Sequence, residues 1–170
     1  ARQEQGIFRS TADGETWSLV CERPSVQALR LHAETGYGCA GTSDGHLLLT
    51  RDGGQHWDDA GQPANGQEIL SLAISPDFGL DRTVLMGTAI PALGNTPARV
   101  ALWRSRDGGM TWSQLTTQVT DARWMEIALP VGVTQDAVSQ AVLATGAYCL
   151  RPLRRAKDVW ISTRVDPQGA

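Results

Sequence analysis

The stretch Ser105-Arg-Asp-Gly-Gly-Met-Thr-Trp112 decides how this chain folds, because it has two earlier counterparts: Thr50-Arg-Asp-Gly-Gly-Gln-His-Trp57 and Ser10-Thr-Ala-Asp-Gly-Glu-Thr-Trp17. Each octet carries a hydroxyl seven residues before its Trp and a Gly three before it. Asp52 and Asp107 stand five residues before Trp57 and Trp112, whereas the first copy has Ala12 there and Asp13 one place later. The first copy is therefore degenerate. Internal self-similarity of this kind is the mark of a repeat architecture. The chemistry is that of a tight hairpin corner, where a short Asp side chain accepts bonds from turn N–H groups and Gly54 or Gly109 takes up positive φ. The Trp then covers apolar surface beside the corner while its indole N–H seeks an acceptor. Short apolar runs, Gly6-Ile7-Phe8, Leu47-Leu48-Leu49 and Ala101-Leu102-Trp103, precede the octets, so each unit reads as strand, turn, strand.

These octets resemble the Asp box, or BNR repeat, of β-propellers such as sialidases, sortilin-type receptors and photosystem-assembly-factor-like propellers. The stretch Ser75-Pro-Asp-Phe-Gly-Leu-Asp-Arg-Thr-Val-Leu-Met-Gly-Thr88 also resembles the inner half of a blade in the assembly-factor-like group. The resemblance implies an all-β fold, a β-propeller of four-stranded antiparallel blades. With strands A to D running from channel to rim, one blade takes Ala28 to His32, Tyr37 to Gly41, Leu47 to Thr50 and a strand starting at His56. The next takes Ile69 to Ile74, Thr83 to Gly87, Ala101 to Arg104 and Thr111 to Leu115. A third takes Met125 to Leu129, Ala141 to Thr145, Tyr148 to Leu153 and Val159 to Thr163, with Arg154 to Asp158 replacing the octet. The chain opens on outer strands alone, Gly6 to Ser10 and Thr16 to Val20. The expected division is a half blade over 1–20 and blades over 21–60, 61–117 and 118–170, about three and a half in all, below the four to eight of a closed propeller. Further blades from the same longer chain, from a second copy or from another subunit are expected to complete it.

Composition limits the function. The chain has 170 residues, 41% of them hydrophobic, with 15 basic and 18 acidic side chains and a formal charge of −3. That balance lacks the footprint of a general nucleic-acid binder. Apolar runs are broken within a few residues, so no membrane span of roughly 20 residues is encoded. Cys21, Cys39 and Cys149 form no CxxC pair and no disulfide framework, and read as buried thiols. No motif calls for a cofactor or a metal: His32, His46 and His56 lack ligand spacing, and the repeated Asp13, Asp52 and Asp107 read as fold-maintaining rather than catalytic. Nothing in the first residues places the chain in a compartment, and the resemblance alone favours an extracytoplasmic or secreted one.

Candidate binding residues fall in three groups. On the inner strands, Leu29-Arg30-Leu31, Leu70-Ser71-Leu72 and Met125-Glu126-Ile127 alternate apolar, polar, apolar, so Arg30, Ser71 and Glu126 share an orientation. Arg30 is suited to anchor an anion, and Glu126 to act as an acid, base or acceptor. A solvated or paired channel set is the plainer reading. The Trp57 to Trp112 interval is 15 residues longer than that from Trp17 to Trp57, and most of the excess lies in the B to C loop Ala89-Ile-Pro-Ala-Leu-Gly-Asn-Thr-Pro-Ala-Arg99. The resemblance places that loop on the ligand-binding face, away from the Asp boxes, so Leu93, Asn95 and Arg99 are contact candidates. Arg151, Arg154, Arg155 and Lys157 form a basic cluster suited to an acidic protein or lipid headgroup. Trp103 and Trp124 read as packing residues. The function expected is a non-catalytic module for protein or glycan recognition and scaffolding. The alternative is part of a secreted sialidase-like glycoside hydrolase, which needs two carboxylates across the sugar bond.

Overall fold

A computed structural model of the chain describes residues 5–11, 13–120, 125–129, 141–146, 154–156 and 159–164, the last three segments through their backbone. Strands β1 (Gly6–Ser10) and β2 (Trp17–Glu22) form a two-stranded antiparallel sheet. The second sheet has the order β3 (Val26–His32), β4 (Tyr37–Thr42), β5 (Leu47–Thr50), β6 (Asp58–Asp59), and all its neighbours are antiparallel. The third repeats that order with β7 (Glu68–Ile74), β8 (Val84–Ile90), β9 (Arg99–Ser105) and β10 (Ser113–Val119), with a short helix α1 (Phe78–Asp81) between its first two strands. The fourth sheet runs β11 (Met125–Ala128), β12 (Ala141–Gly146), β14 (Val159–Arg164), β13 (Arg154–Ala156).

The sheets stack face to face, and β3, β7 and β11 are neighbours along the inner edge. Stacking explains the unbroken apolar run of β5. Leu47 and Leu49 join the cluster shared with the third sheet, with Ile69, Leu72, Val84 and Met86. Leu48, between them, joins Ile7, Val20 and Cys21 of the first sheet. A strand covered on both faces reads as continuous hydrophobe rather than alternation. The third and fourth sheets meet through Leu85, Val100, Leu102, Met125 and Ile127. Two glycines set how closely the inner strands approach: a Cβ on Gly41 would lie 2.3 Å from Ile69, and one on Gly87 would lie 1.9 Å from the sulfur of Met125.

Most expected strands lie within a few residues of those observed, and Leu47 to Thr50 coincides with β5. The outer strand expected from His56 is reduced to Asp58–Asp59, because His56 is drawn into the corner by Asp52. The fourth sheet departs from the expected order. Arg154–Ala156, placed by sequence in a turn, is a strand at the sheet's outer edge, and β14 sits beside β12 in parallel register. The six paired positions of β14 with β12 exceed the three of β13 with β14, so the longer strand takes the interior place. The expected strand Tyr148 to Leu153 lies outside the described residues, as does Trp124.

Candidate functional site

The three octets fold into corners of one design. At the third, Asp107 Oδ1 accepts the N–H groups of Met110 (3.0 Å) and Thr111 (2.9 Å) and the Ser105 hydroxyl (2.7 Å), while Ser105 Oγ accepts the Gly109 N–H at 2.8 Å. The second repeats this with Asp52, the N–H groups of Gln55 and His56, the Thr50 hydroxyl, and Gly54 donating to Thr50 at 3.0 Å. Gly54 and Gly109 hold φ of 83° and 84°, which side chains with a Cβ rarely adopt. The first corner keeps only the scaffold: Gly14 N–H donates to Ser10 Oγ at 2.9 Å, and Asp13 sits at φ 47°. In every corner the indole N–H donates to the carbonyl three residues earlier, Trp17 to Gly14, Trp57 to Gly54 and Trp112 to Gly109. These carboxylates are saturated with donors. The Thr111 hydroxyl and N–H lead in pushing the Asp107 carboxyl down to about 2, and the His56 N–H and ring hold Asp52 well below the usual carboxylate range. Neither is poised as a catalytic acid.

Neighbouring sheets clasp the corners. Arg9 Nε donates to the Gly53 carbonyl at 3.2 Å, and the buried Tyr37 hydroxyl donates to the Gly108 carbonyl at 3.1 Å. Tyr37 stacks on Phe78 of α1 with ring centroids 4.1 Å apart. His32 belongs to the same framework: its Nε2–H donates to the Pro76 carbonyl and its Nδ1 accepts from Thr35. Sequence reasoning left out these cross-sheet contacts, whose partners are 44 and 71 residues apart for Arg9 and Tyr37. No local spacing encodes them.

Along the inner strands, Arg30 and Glu126 meet, with Nη2 to Oε1 at 2.6 Å. The pair passes over the intervening strand β7, and both side chains keep substantial exposure. Arg30 also donates to the Leu29 carbonyl at 2.9 Å. Ser71 is separated from them: it is buried, and its Oγ accepts the Ile127 N–H at 3.2 Å. The shared orientation thus yields one partly exposed ion pair across the inner strands, plus one serine engaged in joining two sheets.

At the end of the sheets opposite the corners, two turns occupy matching places. Between β4 and β5, Thr42, Asp44 and His46 are tied down: Arg23 bridges Asp44 (3.7 Å) and Asp59 (3.4 Å), His46 Nδ1 donates to Asp59, and Gln62 donates to the Asp44 carbonyl. Between β8 and β9 the ladder runs out to Ile90 and Arg99, and residues 91–98 then form a secondary hairpin. Leu93 and Thr96 exchange two backbone bonds of 3.0 and 2.9 Å around Gly94-Asn95. Leu93 is 81% exposed at this tip, and Asn95 and Arg99 are also exposed. Arg154 and Arg155 lie on β13, while Arg151 and Lys157 fall outside the described residues. Burial raises the thiol of Cys21 and pushes that of Cys39 up to about 12, so neither is a ready nucleophile. No group of three or more metal-type side chains occurs among the described residues. Among the described residues, no helix is long and apolar enough to cross a membrane.

Successive four-stranded sheets, antiparallel except for the β12–β14 pair, stacked about a common inner edge define a β-propeller, here an open arc of blades. Among solved structures, the chain is similar to YCF48 bound to D1 peptide, with 16% identity over 81% of this chain and 40% of that one and a TM-score of 0.53. It also matches YCF48 from Cyanidioschyzon merolae, with 22% identity over 62% of this chain and 27% of that one and a TM-score of 0.38. A glucose dehydrogenase matches with 17% identity over 55% and 30% and a TM-score of 0.43. The chain thus spans well under half the length of these proteins. No protein-family model and no curated protein matches it.

Proposed function

We propose that the chain is a non-catalytic blade module that recognises a protein partner through the end of the propeller opposite the corners, within a ring completed by further blades. The observation that carries this reading is the hairpin at 91–98, which holds Leu93 in the open on a two-bond turn. An apolar side chain on a preorganised loop binds with less ordering cost than one on a loose segment. The exposed Arg30–Glu126 pair adds a polar anchor along the channel, able to engage a carboxylate on one side and an amide or ammonium on the other. YCF48 in the structure of similar fold is bound to a peptide, which agrees with peptide recognition by this architecture. The corner geometry supports reading the octets as Asp boxes, and the sheets support blade divisions near residues 20, 60 and 117.

The test is binding of a random extended-peptide library to the full chain and to Leu93→Asp. Enriched peptides are expected to lose at least tenfold in affinity with the variant, at an unchanged melting temperature. Equal binding by both proteins would refute recognition through the hairpin. Glycan binding or hydrolysis abolished by Glu126→Gln would instead establish the carbohydrate reading.

A further inference from the structure

The outer edges of the sheets differ in how they are guarded. Of the strands at the outer ends, β2 ends on Glu22, β6 consists of Asp58 and Asp59, and β13 carries Arg154 and Arg155. Asp58 also meets Arg51 at 3.6 Å, and Asp59 is held by Arg23 and His46. Short, charged edge strands of this kind discourage pairing with another chain. β10 is built the opposite way. It is seven residues long, Ser113–Val119, and no charged side chain occurs in it or anywhere from Gly108 to Thr120.

The backbone of β10 is bonded along one side. Among the described residues its ladder neighbour is β9 alone, and Thr116 to Val119 pair with Leu102 to Arg99 in unbroken register beyond the bulge at Leu115. The side chains bond along the strand rather than across its open edge: Gln114 Nε2 donates to Thr117 Oγ1, and Gln118 Nε2 donates to Thr116 Oγ1 at 3.4 Å. Thr116, Thr117 and Val119 are β-branched, which suits an extended backbone, and Val119 is 66% exposed. Beyond it, the Thr120 N–H donates to the Ala98 carbonyl at 3.0 Å, tying the end of the strand to the base of the 91–98 hairpin.

From this we propose that the open edge of β10 takes an extended, uncharged segment of a partner protein as a fifth strand, paired through the main chain to Thr116–Val119. The inference rests on reading the chain as a protein-recognition module, and it adds a main-chain contact to the side-chain contact of Leu93. Donors and acceptors along a strand recur at about 3.3 Å per residue, and the ligand whose own row matches is another extended backbone. A charged side chain laid along this edge would meet no counter-charge between Gly108 and Thr120, so the edge favours a neutral segment, with β-branched residues opposite Thr116, Thr117 and Val119. A second copy pairing through its own β10 would bring two bulges at Leu115 into one ladder, whereas a free segment needs only the four regular positions. A segment running on past Val119 reaches the hairpin that bears Leu93, so the two contacts read successive parts of one peptide.

Panning a random seven-residue peptide library on the full chain carrying Leu93→Asp tests the edge apart from the hairpin. Enriched peptides are expected to be uncharged and rich in Val, Ile and Thr, and to slow amide exchange within residues 116–119. They should bind at least tenfold more weakly when Gln118→Lys and Val119→Lys are added to the same chain. Both of those sites are exposed, and a melting temperature within a few degrees of the parent verifies that the variant is folded. A library that yields no enriched peptide overturns the proposal, as do enriched peptides that leave exchange in β10 unchanged. Exchange in β10 that slows with chain concentration alone also overturns it, by assigning the edge to a second copy. None of these results touches recognition through Leu93, whose own test compares wild type with Leu93→Asp.

Discussion

The corners ending in Trp112 and in Trp17 share a backbone path, a hydroxyl-to-glycine bond and an indole-to-carbonyl bond, yet one Trp is packed and the other stands open. The difference separates two roles the repeat performs. Shaping the turn is a local matter, which Ser10 and Gly14 accomplish even without the Asp of the later copies. Anchoring a blade is a junction matter, because Trp112 has Leu47, Leu49 and Tyr37 beside it while Trp17 has no sheet on its outer side among the described residues. A repeat residue is worth what its neighbour makes of it.

Truncation should expose the contrast most strongly at the packed corner. Trp112→Ala is expected to cost up to about 3 kcal/mol in denaturant unfolding, the lower end of the range for removing a large core aromatic, because Trp112 is half-buried against its cluster. A much smaller loss would mean that the junction does not depend on it. Next comes Asp107→Ala, expected to cost about 1–2 kcal/mol, as for loss of a side-chain cap. Its pH dependence has a defined sign. The folded carboxyl is lowered from 3.8 to about 2, so its stabilisation is present above pH 4 and disappears as pH falls through 2. Stability curves of wild type and Asp107→Asn should therefore converge between those values, and a constant offset would refute the assignment. Tyr37→Phe removes the hydroxyl that clasps Gly108 and should cost about 1 kcal/mol. Smallest is Trp17→Ala, expected to change the stability of the dilute chain by less than about 0.5 kcal/mol, as at an ordinary surface position. A loss matching that of Trp112 would abolish the contrast between the corners.

Much of the fold was legible because the octets fix strand ends with chemistry local to eight residues. The strands Gly6 to Ser10 and Leu47 to Thr50 could be read off directly, since a hydroxyl, an Asp and at least one glycine mark where each chain reversal begins. The fourth sheet has no octet, and there the expected order failed: without a corner to impose a hairpin, β14 pairs in parallel with β12. Of the inner polar set, alternation gave Arg30, Ser71 and Glu126 one orientation, and the fold then brings Arg30 and Glu126 together. Alternation did not separate out Ser71, whose burial follows from how closely β7 and β11 approach. The anchoring of residues 43–46 by Arg23, Asp59 and Gln62 joins three segments through side chains. Such a network has no signature in any one of them.

The bond between Arg30 and Glu126 joins the first and third of three adjacent inner strands and skips the second. In mechanical terms it is a tie rod across the concave side of an arch. Its energy is small, because both groups are partly exposed and salt screens them. Its leverage is larger, because splaying the blades must first lengthen this chord. Raising the ionic strength should slacken the tie and widen the arc while leaving the unfolding transition nearly where it was, so the curvature of this chain is set more softly than its stability.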